Sequence, residues 1–443
     1  MSRTTLRVAV LGAGTVGREV VRAFETFPER LAVHGGPSLA LVGVAVRDLR
    51  RARERGIAVE LLTDGPAHLV ASPETDVVVE VMGGEEPART LIAAALGAGR
   101  PVVTANKHVV AHHGPELEAI ARRTGTALRF EAAVAGGIPI LGPLAADLAA
   151  DRVDRIRGIV NGSTNYLLTE MATAGRAYSD VLAEAQAAGY LEADPSADVE
   201  GGDAVNKLVI LIRLAFGTWV EPGAIVCRPP TTGGAAGSAW NGAPGITGIT
   251  LADVSGAAAL GMAIKLVADA RLLTDGRVTA SVVPTAVPLA DPLGRTDGVL
   301  NRVEVHAEPV GTITLSGPGA GGAATSSAVL GDLLAIARGV GSTWAGLPPA
   351  AAAGPTGLVA PGDQAPDRGW FAVVTDVGAG RAVREAADRV GGGSSKAHVV
   401  QFAGGTAIHL EHGGLADMRA LLAAGGVRAD LQILPVDEIA ARA

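Results

Sequence analysis

Short apolar runs alternate with amphipathic stretches along the first third of the chain, the pattern of buried parallel strands joined by helices. Leu6–Leu11 (LRVAVL) is the first such run, and the helical pattern REVVRAFETF comes soon after. LALVGVAV (39–46) reads as a second strand, and DVVVEVMGG (76–84) as another that ends in glycines. The helix EPARTLIAAALGAG, the strand PVVTANK (101–107), the helix ELEAIARRTG and the strand ALRFEAAV continue the alternation. Such an order predicts an α/β doubly wound sheet, whose ligands gather at the carboxyl ends of the strands. The end of the chain reads differently. Residues 345–369, rich in Ala, Gly and Pro, read as a linker. Beyond it, WFAVVTD, GRAVREAADRV, AHVVQFA, TAIHLEH, LADMRALLAA and VRADLQILPV read as βαββαβ, the ferredoxin-like split arrangement. Between the two, residues 229–245 (PPTTGGAAGSAWNGAPG) read as a flexible loop.

Composition narrows the class. A length of 443 residues predicts two or three domains, and with 48% apolar but only 3% aromatic residues the cores are built from Val, Leu, Ile and Ala. A net charge of −8 without a basic block argues against nucleic acid. The longest strongly apolar stretch, Leu208–Phe216, is broken by Arg213 and too short to span a bilayer, and no apolar secretory region precedes the first strand. The single cysteine, Cys227, excludes an intrachain disulfide. The expectation is a soluble cytoplasmic enzyme acting on a small molecule.

Gly12-Ala13-Gly14-Thr15-Val16-Gly17 stands directly between the first strand and its helix, the context in which G-x-G-x-x-G binds a dinucleotide. The first glycine permits the turn, the second admits the pyrophosphate, and the third lets helix and strand pack closely, with the phosphates at the helix N-terminus. The second strand ends in Arg47-Asp48, with Arg50 and Arg51 close behind. Arginine favours the 2′-phosphate of NADP and an acid the free ribose of NAD, so Arg47 points to NADP(H) over NAD(H), and Asp48 keeps NAD open. Other strand ends carry Gly83, Gly84 and Thr104 to Lys107.

The densest chemistry lies in AQAAGYLEADPSADVEGGDAVNK (185–207), where Glu192, Asp194, Asp198, Glu200 and Asp203 precede Lys207. Asp203 and Lys207 are four apart and share a face if the segment is helical. Only four lysines occur among 37 basic residues: Lys107, Lys207, Lys265 and Lys396. Ammonium releases a proton where guanidinium does not, so a lysine retained beside carboxylates suits proton transfer. The acids alone would also suit a divalent metal, which the lysine in their midst would repel. Lys265, in an apolar run, and Lys396, in a Gly/Ser loop, look unrelated to chemistry.

With GAGTVG, VVVEVMGG, VVTANK, FEAAVAGGIPI, GIVNGSTNYLL, the 185–207 segment and GPGAGGAATSSAVLGDL, the chain resembles homoserine dehydrogenase from its N-terminus to about residue 340. The resemblance implies reduction of L-aspartate 4-semialdehyde to L-homoserine with NADPH or NADH, on the path to threonine, methionine and isoleucine. It implies a Rossmann domain at 1–138, completed by a helix near 323–340, an α+β catalytic and dimerisation domain at 139–344, and a homodimer or homotetramer. Lys207 would donate the proton, Asp203 would orient it, and Lys107 would assist beside the nicotinamide. Glu192, Asp198 and Ser163 would hold the substrate, and Gly319 would approach the cofactor beside Gly12, Gly14, Thr15, Val16, Gly17, Arg47, Gly83, Thr104 and Lys107. A monovalent cation such as Na+ would lie on Glu131 and the main-chain oxygens of Val134, Gly136 and Ile138. Residues 370–443 resemble an ACT domain, with Asp376–Gly380 replacing the usual D-x-P-G turn, which speaks against ligand binding. A structural or dimerising role and a regulatory one both stay open. Since the tail carries none of the chemistry, truncation after Gly346 is expected to leave catalysis largely intact.

Of three other functions one is rejected and two stay in view. A thiol-dependent aldehyde dehydrogenase needs a nucleophilic cysteine, and Cys227 lies outside every motif. A non-catalytic dinucleotide sensor has no use for Lys107 and Lys207. A paralogue acting on a related amino-acid aldehyde is compatible with Leu191, where the family prefers a small residue, with the 229–245 insertion, and with Leu289 in place of a basic residue.

Overall fold

The alternation of strand and helix begins with the first residues described. The computed structural model describes residues 5–189, 191, 193–233, 240–349, 357–359, 369–390, 396–427 and 430–437. Its first elements are β1 (Thr5–Leu11), α1 (Thr15–Thr26), β2 (Ser38–Ala45), α2 (Leu49–Glu54), β3 (Leu62–Thr63) and α3 (Pro66–Ala71). Then come β4 (Val77–Glu80), α4 (Ala88–Gly97), β5 (Val102–Thr104), α5 (Lys107–Thr124), β6 (Leu128–Arg129) and α6 (Leu141–Ala145). The middle of the chain forms β7 (Arg152–Ile159), α7 (Gly162–Ala174), α8 (Tyr178–Ala187), α9 (Ser196–Val199), α10 (Gly202–Phe216) and α11 (Leu251–Ala259). Next are β8 (Met262–Leu272), β9 (Val278–Pro288), β10 (Leu300–Glu308), β11 (Gly311–Pro318) and α12 (Gly322–Ala337). The last are β12 (Leu358–Val359), β13 (Gly369–Val374), α13 (Val377–Val390), β14 (Lys396–Phe402), β15 (Gly405–Glu411), α14 (Leu415–Ala424) and β16 (Leu434–Val436).

Two compact units emerge: residues 1–156, 206–222 and 305–355, and residues 157–205, 223–304 and 356–443. They cut across the sequence boundaries at 138, 344 and 369.

In the first unit six parallel strands lie in the order β3-β2-β1-β4-β5-β6, the expected doubly wound sheet. Val8 to Leu11 are wholly buried because helices cover both faces of this central strand. Val329 and Leu333 of α12 join Val8, Val10, Val20, Val77 and Val79 in one core. Each such side chain contributes about 1.5–3 kcal/mol when fully buried. The strand expected at ALRFEAAV stops after Arg129, because Glu131 turns back to bind the start of α6. Residues 345–348, expected as linker, are tied down: the carbonyls of Leu347 and Pro348 accept from Arg122 and Arg213.

In the second unit β8 and β9 form a long antiparallel pair, Met262↔Pro288 through Leu272↔Val278. The C-terminal strands run β16-β13-β15-β14, the 4-1-3-2 order of a ferredoxin-like module, so the βαββαβ reading holds. This module is not a separate body. β16 pairs with β9 on one side and β13 on the other, making one continuous sheet with β8 and β9. Trp370, Ala372 and Val374 pack under α13 and α14, whereas Val373 meets α11 at Gly256. Both faces are covered, which is why all six residues of β13 are buried. The expectation that the tail is dispensable therefore has to change.

The 229–245 insertion is also not a free loop. Ile433 N donates to the Pro230 carbonyl, Thr232 N to Leu431, and Arg419 to Thr231, while Trp240 packs at 6.3 Å from Trp370. Its stretch 234–239 lies outside the described residues. At its far end Ile246 N donates to the Val199 carbonyl, beside the acidic segment.

A buried guanidinium joins these parts. Arg157 on β7 donates to Glu304 (2.8 Å), Asp437 (2.6 Å) and Asp291 (2.7 Å). Burial disfavours its charge, but the carboxylates of Asp437, Glu304 and Asp291 outweigh that and raise its pKa. Lys265, unremarkable in sequence, is likewise buried and donates to Asn165, the Thr296 carbonyl and Asp297, steadying the first turns of α7.

Candidate active site

The β1–α1 turn has the geometry its glycines predict. Gly12 has φ +102°, and a Cβ there would stand 2.8 Å from the Val81 carbonyl oxygen. A Cβ on Gly17 would stand 2.0 Å from the Gly12 oxygen, so helix and turn touch only because it is absent. Gly14 has no atom within 4 Å of its missing Cβ and leaves an open approach. No side chain caps α1, so the N–H groups of its first turn are directed at that opening, as anion binding requires. Beside it lies a 410 Å³ cavity lined by Gly12, Gly14, Met82, Gly83 and an arginine-rich wall.

That wall holds Arg47 from the turn after β2, together with Arg51 and Arg55, which lie one turn apart along α2 and its C-cap. Arg50 turns aside to Glu54. Asp48 also lines the cavity, but its carboxylate accepts from Arg51 N at 2.9 Å and caps α2. The acid that left NAD open is thus employed as a helix cap. Arg55 escaped the sequence reading, although its spacing from Arg47 and Arg51 was legible.

Thr104 lies wholly buried at the end of β5, and its hydroxyl donates to Glu80 at 2.6 Å rather than facing the cavity. Lys107 is the first residue of α5, which Asn106 caps by accepting from Val109 N. Burial pushes the Glu80 carboxyl up, and hydrogen bonds from Thr104, Met82, Gly83 and Asn106 draw it partly back.

Lys107 and Lys207 stand on two neighbouring helices, α5 and α10. His112 on α5 meets Asn206 on α10 at 3.2 Å, and Glu118 on α5 accepts from Arg213 on α10 at 2.7 and 3.1 Å. The two contacts keep almost one sequence offset, so α5 and α10 run side by side in the same direction. At that offset Lys207, in the second turn of α10, lies level with His112 and His113, about 8–9 Å along α5 from Lys107.

Asp203 and Lys207 stand four residues apart on the unbroken helix α10, one turn from its start, and both are buried. In the second unit Asn161 gathers the acids: its Nδ2 donates to Asp198 (2.7 Å) and Asp203 (2.8 Å), while its Oδ1 caps α7 at Thr164 N. Asn161 was seen only as part of the NGST turn, not as the group that joins two carboxylates distant in sequence. Ser163 follows it in the first turn of α7, half-buried. Glu192 lies outside the described residues, and the neighbouring Leu191 is buried.

Glu131 accepts from the N–H groups of Ile140, Leu141 and Gly142. Burial, together with the nearby Asp332, pushes its carboxyl up against those bonds. Ala135 and Gly136 are both left-handed (φ +51° and +47°), and a Cβ on Gly136 would stand 2.7 Å from the Gly319 oxygen, so the 134–138 turn and Gly319 abut. Among the described residues no three His, Cys, Asp or Glu side chains are grouped to hold a metal ion. Burial pushes the Cys227 thiol up to about 11, far from a reactive thiolate. No helix among the described residues is long and apolar enough to cross a membrane.

Two family models match the chain: homoserine dehydrogenase over residues 139–334, and the homoserine dehydrogenase NAD-binding domain over residues 12–131. The homoserine dehydrogenase of Mycobacterium tuberculosis is 47% identical over 335 residues, covering 75% of this chain and 72% of its own. That of Bacillus subtilis is 39% identical over 334 residues, covering 75% and 73%. Among solved structures, a homoserine dehydrogenase from Thiobacillus denitrificans superposes with a TM-score of 0.82 at 32% identity, covering 98% of each chain. A hyperthermophilic archaeal homoserine dehydrogenase in complex with NADPH gives 0.60 at 27% identity, covering 75% of this chain and 98% of that one.

Proposed function

The chain belongs to the homoserine dehydrogenase family of oxidoreductases acting on the CH–OH group of homoserine, and from that premise we propose how its own residues carry the reaction and choose the cofactor. The observation that supports the reading is the side-by-side course of α5 and α10, which carry Lys107 and Lys207 in their first two turns. In the reductive direction the aldehyde oxygen of L-aspartate 4-semialdehyde gains negative charge, which Lys207 stabilises and protonates. Asp203, one helical turn before it, orients the ammonium. Lys107 adds positive charge on the nicotinamide side. Asp198, held by Asn161, takes the substrate ammonium with Glu192, and Ser163 donates to the substrate. Bound NADPH supplies the hydride.

Arg47, Arg51 and Arg55 make NADP(H) the preferred cofactor, since only its 2′-phosphate needs guanidinium partners. Arg47→Ala should weaken NADPH binding by about tenfold or more, the scale of one charge-assisted hydrogen bond, and leave NADH nearly unchanged. Titration of both cofactors checks this, and equal losses would remove Arg47 from the role.

A monovalent cation at the 131–138 turn belongs to the same reading. Glu131 and Asp332 are acids close together with Arg129 paired to only one of them, and a cation on Glu131 and the oxygens of Val134, Gly136 and Ile138 would offset that charge. Main-chain and carboxylate oxygens suit a hard cation. A cytoplasmic homodimer or homotetramer completes the proposal.

For the C-terminal module a structural role is the better reading. Asp376 Oδ1 accepts from Ala379 N, and Gly380 fits against Thr406 so closely that a Cβ would stand 2.2 Å from its hydroxyl. A turn packed in this way has little room for a ligand. Threonine titrated into the homoserine oxidation assay should leave the rate unchanged, and strong inhibition would show that the module senses amino acids.

A further inference from the structure

We propose that Glu80 is a positioning residue for the reaction, fixing the Gly83–Gly84 turn and the Thr104–Lys107 turn as one rigid wall of the nicotinamide site. The inference rests on the reading above that these turns flank the nicotinamide. Glu80 ends β4 at the carboxyl edge of the sheet and is completely buried. Its Oε1 accepts the Met82 N–H at 2.8 Å, and its Oε2 accepts the Thr104 hydroxyl at 2.6 Å. Thr104 Oγ1 in turn accepts the Asn106 N–H at 3.0 Å. Asn106 donates from Nδ2 to the Gly84 carbonyl at 2.7 Å and caps α5 with its Oδ1. The bonds thus run from the end of β4 to the end of β5 and back to the turn after β4. Lys107 is the next residue along, so its place is set by the same chain.

The other side of the first turn is open. Gly83 and Gly84 are left-handed (φ +74° and +76°), and no atom lies within 4 Å of a Cβ at either. One side is held from beneath while the other faces space in which a planar ring can lie. Burying a carboxylate costs several kcal/mol unless donors replace its water. Glu118 and Asp332, buried in the same unit, each hold an arginine. The donors on Glu80 are the Met82 and Gly83 N–H groups, the Thr104 hydroxyl and Asn106, all belonging to turns of the site. An apolar residue would fill the space at less cost and fix neither turn.

The test is Glu80→Gln in the full-length protein. It retains the size but replaces one acceptor oxygen with a donor. We expect kcat for aspartate 4-semialdehyde reduction to fall by about ten- to a hundredfold, the effect of a misplaced reacting group, with the NADPH dissociation constant changed by less than about threefold. The primary deuterium isotope effect on kcat, measured with NADPH labelled at the transferred position, should rise as the chemical step becomes slower. A kcat per NADPH-binding site within about twofold of the parent would overturn the proposal. So would an activity loss that merely follows the loss of NADPH-binding protein, with an unchanged isotope effect. If Glu80→Gln does not fold, Thr104→Val breaks the same chain at nearly constant shape, and parental turnover in that variant overturns it equally. Lys107→Ala, assayed alongside, separates the two readings. Full turnover there removes the placement of the nicotinamide at this wall, whereas a loss there with unaffected Glu80→Gln removes only the role of Glu80.

Discussion

Lys207→Ala is expected to lower turnover of aspartate 4-semialdehyde by about two to four orders of magnitude, the usual contribution of a positioned proton donor, while NADPH binding persists. The dinucleotide cradle at Gly12–Gly17 and the arginine wall lie on other elements and keep their shape without it. Lys207→Arg should fail as well. Guanidinium would preserve the charge beside Asp203 but does not release a proton at working pH. Near-parental turnover in the arginine variant would reduce Lys207 to an electrostatic anchor and leave the proton source elsewhere. Single-turnover rates with NADPH bound beforehand separate the chemical step from cofactor affinity.

Arg157→Met is expected to have the largest effect on folding. It would leave Asp291, Glu304 and Asp437 buried together without their shared cation. Breaking a buried ion pair typically costs about 3–5 kcal/mol, and three acids now repel one another, so most of a domain's stability is at risk. Truncation after Gly346 should be comparably severe, because it strips β16 and β12 from β9 with the rest of the C-terminal strands and takes Asp437 away from Arg157. Thermal melts and the soluble yield of both variants check this. A truncated protein that melts as the parent does would show that the C-terminal strands are an appendage after all.

The first unit was largely legible in the sequence because its signals are local. Parallel strands buried on both faces read as apolar runs, and the roles of Gly12, Gly14 and Gly17 follow from spacing alone. Helix α10 was likewise readable from Asp203, Lys207 and the apolar run after them. The second unit was less readable because its decisive contacts join residues far apart. Nothing near Arg157 in sequence announces Asp437, and nothing in the Gly/Ala/Pro-rich insertion shows that Pro230 and Thr232 bind residues 431–433, just before β16. The acidic segment displayed its carboxylates but not Asn161, which joins Asp198 to Asp203 from another helix. Asp48 illustrates a subtler limit. Its type suggested a ribose ligand, yet its position before α2 made it a cap, and the helix N–H engages it at no cost in chain length.

The most direct measurement is the initial rate of homoserine-dependent NADP+ reduction by the full-length protein, with NAD+ run in parallel. A homoserine-dependent rate with both cofactors, and a higher kcat/KM for NADP+, is the predicted result. A protein that binds NADPH yet shows no homoserine-dependent rate with either cofactor would contradict the account.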